Sequence, residues 1–366
     1  MTLLAALGLA TGASAQEVIP FDSERWTFEG SSDTFVEHLG RECLYLESGR
    51  AWLEDADLLN GVIEFDVALE PERGFVGVFW RMQDAGNYEH FYMRPHQSDK
   101  PDACQYTPVF NGVSGWQLYA GPGHTAVVDY EFDAWIPVKV EVWEGRARVS
   151  LRGAPVLHTD DLKREAAAGR VGVHVPGFAP AHFSRFRYRE LAQDPFEDSP
   201  ARDTVSPVGT IDSWSVSSAI PEASLIDEDW LDPTLDADLE WTTLLTEKSG
   251  LANLARVQGL TAGDTCFARV VMDMDRDQNV EFSFGFSDRV RVYLDGRLLY
   301  RGDNSYRSRD HRFLGTIGAF DHLVLPLHAG ANELRLAISE DFGGWGLLGQ
   351  LSPECQIRSG LPRMGD

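Results

Sequence analysis

Positive charge is in short supply. The chain's 32 lysines and arginines stand against 57 aspartates and glutamates, giving a net charge of −25 and a pI near 4.7. Phosphate backbones need a basic footprint, so a nucleic-acid partner is not expected. An anionic membrane surface is disfavoured for the same reason. Long apolar runs are also lacking: Leu3–Ala10 is too short to cross a bilayer and no later stretch does better, so no membrane span is expected. Cysteine is scarce. Cys43, Cys104, Cys266 and Cys355 include no C-x-x-C pair, which makes a poor zinc framework. There is no P-loop and no dinucleotide fingerprint, so nothing implies a cofactor. Helical periodicity is nearly missing; Asp161–Ala168 alone reads as one or two helical turns.

What the chain does contain begins with a targeting signature. The apolar run Leu3–Ala10 is followed by Ala13-Ser14-Ala15, a small-x-small site before Gln16, although no Lys or Arg precedes Glu17. Residues 1–15 therefore read as a signal peptide, and the mature chain as secreted, periplasmic or extracellular. In such a compartment disulfides Cys43–Cys104 and Cys266–Cys355 are allowed, with buried free thiols as the alternative.

Strand-like runs recur at short intervals between Gly, Asp, Asn and Pro: Gly61–Leu69, Phe75–Gln83, Tyr88–Arg94, Val138–Glu144, Arg146–Arg152, Arg170–Val175 and His182–Arg189. They resume with Thr210–Ser217, Cys266–Met274, Val280–Phe286, Arg289–Leu294, Leu323–Leu327 and Glu333–Ser339. Many short strands with frequent turns predict an all-β protein of sandwich or barrel type. Asp295-Gly296 is a strong hairpin signal. The Pro- and Asp-rich stretch 192–207 reads as a linker without apolar anchors. The expected organisation is one β-sandwich over 16–191, the linker, and a second sandwich over 208–366, each folding independently.

Period-two alternation assigns faces. Tyr88, His90, Tyr92 and Arg94 share one face of a strand, opposite Glu89, Phe91 and Met93. Glu64 and Asp66 share a face opposite Ile63, Phe65 and Val67. Trp116–Tyr119, read as a strand, sets Gln117 and Tyr119 against Trp116 and Leu118. If these strands neighbour one another, the polar faces form a concave polar-aromatic sheet suited to sugar hydroxyls and sugar ring faces. The alternative is a solvated face of cross-strand charge pairs. Ligand-binding candidates are Arg81, Tyr88, Tyr92, Arg94, Gln105, Gln117 and Tyr119. Acid–base candidates are Glu64, Asp66 and His90.

Metal ligation finds no support. His90 and His96 flank Arg94 without further converging ligands. Asp273–Asn279 spaces acids like a calcium loop but carries Gln278 where the loop needs glycine and Phe284 where it needs glutamate. Trp345 stands among glycines beside Phe342 and Leu347 and is expected to be buried. The polar loop Asn304–Asp310 is a reserve ligand candidate.

Several motifs resemble known families. Gly61-Val62-Ile63-Glu64-Phe65-Asp66, Gly74-Phe75-Val76-Gly77, the run Gly86–His96 and the run Gln105–Gly112 resemble the concanavalin A-like jelly rolls of secreted bacterial proteins. Within these they look closest to the 3-keto-disaccharide hydrolase-like domain of unknown function. The runs Ser287–Gly296, Gly302–Asp310 and Phe342–Gly346 resemble a galactose-binding-like jelly roll. These resemblances imply a sugar-related theme. Laminarinase-type jelly-roll glucanases set Glu-x-Asp-x-Glu on one strand; here the acid after Asp66 is Glu70, too far along. The leading expectation is glycan binding through a polar-aromatic sheet face. The alternatives are a glycoside hydrolase acting on ordinary or 3-keto disaccharides, and a structural or partner-docking module.

Overall fold

The computed structural model describes residues 17–199, 205–225, 229–261 and 263–352. Residues 1–15 and Cys355 lie outside the described residues, and so do the signal-peptide reading and any Cys266–Cys355 bond. The regular structure of the described residues is nearly all strand, and none of their helices is long and apolar enough to cross a membrane.

Thirteen strands form the N-terminal sheet. In chain order they are β1 (Trp26–His38), β2 (Arg41–Leu53), β3 (Gly61–Leu69), β4 (Val76–Asp84), β5 (Asn87–Met93), β6 (Cys104–Phe110) and β7 (Val113–Ser114). Then come β8 (Thr125–Ala126), β9 (Ile136–Trp143), β10 (Arg146–Leu151), β11 (Ala154–Thr159), β12 (Arg170–Val175) and β13 (Ala181–Glu190). The spatial order is β11-β10-β9-β3-β13-β2-β12-β4-β5-β6-β7, with β1 on β2 and β8 on β6. The sheet curls so that alternate side chains, among them Phe65, Trp80, Phe91, Phe183 and Phe186, fill one continuous core.

The C-terminal strands are β14 (Ser213–Ser217), β15 (Ile220–Pro221), β16 (Trp241–Leu245), β17 (Leu251–Asn253), β18 (Asp264–Met274) and β19 (Gln278–Ser287). They continue with β20 (Arg289–Leu294), β21 (Arg297–Asp303), β22 (Asp321–Leu327), β23 (Gly330–Glu340) and β24 (Gly346–Leu351). One sheet runs β16-β14-β18-β23-β20-β21 with β15 on β18; the other runs β17-β24-β19-β22. Their inner faces meet around Phe282, Phe284, Phe286, Leu336 and Trp345. Trp345 is fully buried and donates its indole N–H to the Ile338 carbonyl at 3.0 Å. At the β20–β21 hairpin Asp295 and Gly296 take φ of 49° and 80°, the left-handed pair that a two-residue hairpin turn requires.

Four local expectations are corrected. Asp161–Ala168 forms no helix, because its donors are spent across the fold. The backbone N–H of Lys163 donates to the Tyr106 hydroxyl at 2.8 Å and that of Arg164 to Glu89 at 3.1 Å. Trp116–Tyr119 is a turn: Leu118 and Tyr119 both donate to the Gly115 carbonyl. Cys43 and Cys104 are separate buried thiols, with β12, β4 and β5 lying between their strands. The stretch 192–207 does carry an apolar anchor. Phe196 is 1% exposed, stacks on His158 with ring centroids 5.4 Å apart, and lies under the Arg146 guanidinium at 4.7 Å.

Candidate functional site: the outer face of β2, β12, β4, β5 and β6

Residues directly opposite on paired strands share a face. One cross-strand row runs Glu29, Arg50, His174, Gly77, Tyr92, Gln105. The next runs Thr27, Trp52, Gly172, Phe79, His90, Thr107. Both rows point away from the main core. The two glycines are filled by their neighbours' rings: a Cβ on Gly77 would lie 2.4 Å from His90 Nε2, and one on Gly172 would lie 2.6 Å from the Phe79 ring. The floor is therefore a mosaic of flat rings. His90 lies 5.2 Å from both Tyr92 and His174 and 5.9 Å from Tyr88, centroid to centroid. Arg50 stacks over Tyr88 at 5.6 Å.

The predicted Tyr92–Arg94–Gln105 group is real but not an exposed surface. Arg94 donates to the Tyr92 hydroxyl and the Asp102 carbonyl, each at 2.8 Å, and also to Gln105 Oε1. Tyr92 donates to Gln105 Oε1 at 2.7 Å. Gln105 in turn donates to the carbonyls of Trp116 and Tyr119. Arg94 is only 6% exposed. Burial pushes the Tyr92 phenol up to about 12 and the His174 imidazole down to about 3, with Arg50 adding to the latter. Burial likewise holds His90 well below its ordinary value, with His174 and Arg50 contributing. Both imidazoles are thus neutral at pH 7. His90 Nε2 and His174 Nδ1 are buried without a hydrogen-bond partner among the described residues.

The remaining candidates go elsewhere. Arg81, in the β4 bulge with φ of 52°, donates to the Leu59 carbonyl at 2.8 Å and the Asn60 side chain at 3.3 Å. Gln117 and Tyr119 join the two halves of the chain. Gln117 exchanges hydrogen bonds with the C-terminal half: its N–H donates to Gly343 at 2.8 Å and its amide to Leu314 at 2.7 Å. The Tyr119 hydroxyl donates to Glu247 at 2.6 Å, and Lys163 and Arg256 pair with the same carboxylate. Glu64 pairs with Arg187 at 3.0 Å and Asp66 with Arg41. Strand β3, which carries both acids, is separated from β5 by β13, β2, β12 and β4, so neither acid meets His90.

The structure adds residues that the sequence reading missed. Arg50, Trp52 and His174 are half-buried members of the rows. At one end Phe178 is 65% exposed, with a left-handed φ of 68°. It packs on Phe75 at 5.6 Å and under Arg73 at 4.7 Å, and Phe75 reaches Tyr92 at 6.0 Å. The only signal in the sequence was an aromatic residue in the turn Pro176-Gly177-Phe178-Ala179-Pro180.

No protein-family model and no curated protein matches the chain. Solved structures match about half of it. The carbohydrate-binding module CBM66 from Bacillus subtilis is 15% identical, with a TM-score of 0.36, over 45% of this chain and 96% of that one. A Bacillus subtilis protein with a galectin-like fold is 14% identical at TM-score 0.35, over 47% and 93% of the two chains. The Bacillus licheniformis beta-glucanase is 12% identical at TM-score 0.34, over 49% and 99%. Likeness at this level carries no argument about ligand or reaction.

Proposed function

We propose that the protein is a secreted glycan-binding protein whose ligand lies on the face built by β2, β12, β4, β5 and β6. The observation that carries this reading is the pair of cross-strand rows. They combine flat ring surfaces with a guanidinium–phenol–amide network held rigid by its own hydrogen bonds. Sugars need such a surface: ring faces for their apolar C–H patches and preset polar groups for their hydroxyls. The buried Tyr92–Arg94–Gln105 group keeps the floor stiff. Trp52, Arg50, His174 and Phe178 form the accessible rim that touches ligand. A hydrolase needs two carboxyl groups flanking one bond, one of them held protonated. On this face the carboxylates of Glu29, Asp102 and Glu54 are each paired with an arginine, Arg50 at 3.2 Å, Arg94 at 3.4 Å and Arg170 at 3.5 Å, and Glu54 also accepts the Trp52 indole N–H at 2.7 Å. The reading is therefore binding without cleavage.

The test is a glycan panel followed by calorimetric titration of any hit. Trp52→Ala and Phe178→Ala each remove one rim ring and are expected to weaken binding roughly tenfold, about 1.4 kcal/mol, with the melting temperature nearly unchanged for the exposed Phe178 and lowered for Trp52, which packs on Phe79 and its neighbours. Unchanged affinity in both folded variants moves the site off this face.

A further inference from the structure

The end of the C-terminal sandwich holds a second arrangement that glycan binding does not use. Strands β21, β20 and β23 are neighbours, with Arg289 paired to both Asp303 and Ser339. One residue further along, Asn304, Asp288 and Glu340 come together. The Asn304 N–H donates to the Asp288 carbonyl at 2.7 Å, and the Asp288 N–H donates to the Ser339 carbonyl at 2.9 Å. Asn304 and Asp288 are each 1% exposed and Glu340 is 0% exposed.

Each of these side chains has one polar atom committed and one oxygen left over. The Asn304 amide N–H donates to the Phe286 carbonyl at 3.0 Å. Asp288 Oδ2 accepts from the Asp341 N–H at 3.1 Å, and Glu340 Oε1 accepts from the Gly344 N–H at 3.2 Å. Asn304 Oδ1, Asp288 Oδ1 and Glu340 Oε2 have no hydrogen-bond partner among the described residues. The nearby cation, Arg289, is taken: it pairs with Glu222 at 2.7 Å and Asp341 at 2.6 Å. Leaving buried acceptors unmatched is costly, and buried carboxylates more so.

We propose that Asn304 Oδ1, Asp288 Oδ1 and Glu340 Oε2 are the protein ligands of a divalent cation of the calcium type. All three donors are hard oxygens, two of them carboxylates, which is the chemistry Ca²⁺ takes. Asp288 and Glu340 repel one another in this buried position, a repulsion that a cation between them relieves. The Ser287 hydroxyl lies 3.4 Å from Gln117 Oε1, so this cluster borders the junction between the halves.

The test uses the full chain, treated with chelator and dialysed, then titrated calorimetrically with CaCl₂ at pH 7. The expected result is one Ca²⁺ bound per chain, with a raised melting temperature. Asp288→Asn and Asn304→Ala are expected to weaken Ca²⁺ binding at least tenfold. If the wild type shows no binding heat and no Ca²⁺-dependent melting shift, the proposal fails. Binding that persists unchanged in a folded Asp288→Asn chain also overturns it. Should that variant not fold, Asn304→Ala decides: Ca²⁺ binding unchanged in a folded Asn304→Ala chain overturns the proposal.

Discussion

Two outer faces of the N-terminal sheet read alike as sequence and differ as structure. Around β3, Glu64 and Asp66 meet Arg187 and Arg41 in part-exposed charge pairs, while Glu141 on β9, itself buried, meets the more exposed Lys139 and Arg148. Around β5 the alternating polar residues pack on one another and are nearly sealed. Alternation tells which side of a strand a residue takes. It does not tell whether that side is wetted, because burial there comes from neighbouring strands distant in sequence. A polar residue on the β5 face is a structural part of the site before it is a ligand contact.

The largest expected effect tests this difference directly. Arg94→Ala strips the Tyr92 hydroxyl, Gln105 and Asp102 of a shared buried donor and should cost about 3 kcal/mol. Arg187→Ala, which removes a half-exposed partner of Glu64, should cost about 1 kcal/mol or less. Urea melts of the two variants side by side check it, and equal losses would erase the distinction.

A smaller effect concerns acid. His174 titrates at about 3 in the folded chain, against an ordinary value near 6.5. A base with a lowered folded value contributes stability above its unfolded value, and that contribution is lost as pH falls. Stability should therefore decline from about pH 6.5 towards pH 3, and His174→Gln should flatten part of the slope, with His90 beside it supplying the remainder. A slope unchanged in His174→Gln would assign acid lability to other groups. The smallest effect is Glu64→Gln, expected to change stability by less than about 0.5 kcal/mol and to leave glycan affinity untouched. A large loss of either would make the β3 face part of the function.

Much of the fold was legible. β3 and β12 begin and end where the apolar alternation does, and the Asp295-Gly296 turn follows from its dipeptide. The face shared by Tyr88, His90, Tyr92 and Arg94 was legible for the same reason. Trp116–Tyr119 misled because a four-residue alternation also suits a turn after Gly115. Asp161–Ala168 misled because helix propensity could not foresee Tyr106 and Glu89 claiming its N–H groups. Arg50, Trp52 and His174 stayed invisible as a site. They reach β5 only through β12 and β4, a neighbourhood set by topology rather than by spacing.

Gln117 has one more consequence. Its amide occupies the space that side chains on Gly315 and Gly343 would fill, since a Cβ on either would lie 2.1 or 2.0 Å from it. The joint is a tenon seated in a mortise, and the halves cannot swivel without withdrawing it. A hinge between two sandwiches would let each melt alone; this joint resists torsion, so heat should disassemble the molecule as one piece. Scanning calorimetry is expected to give a single transition in the wild type that splits in two for Gln117→Ala.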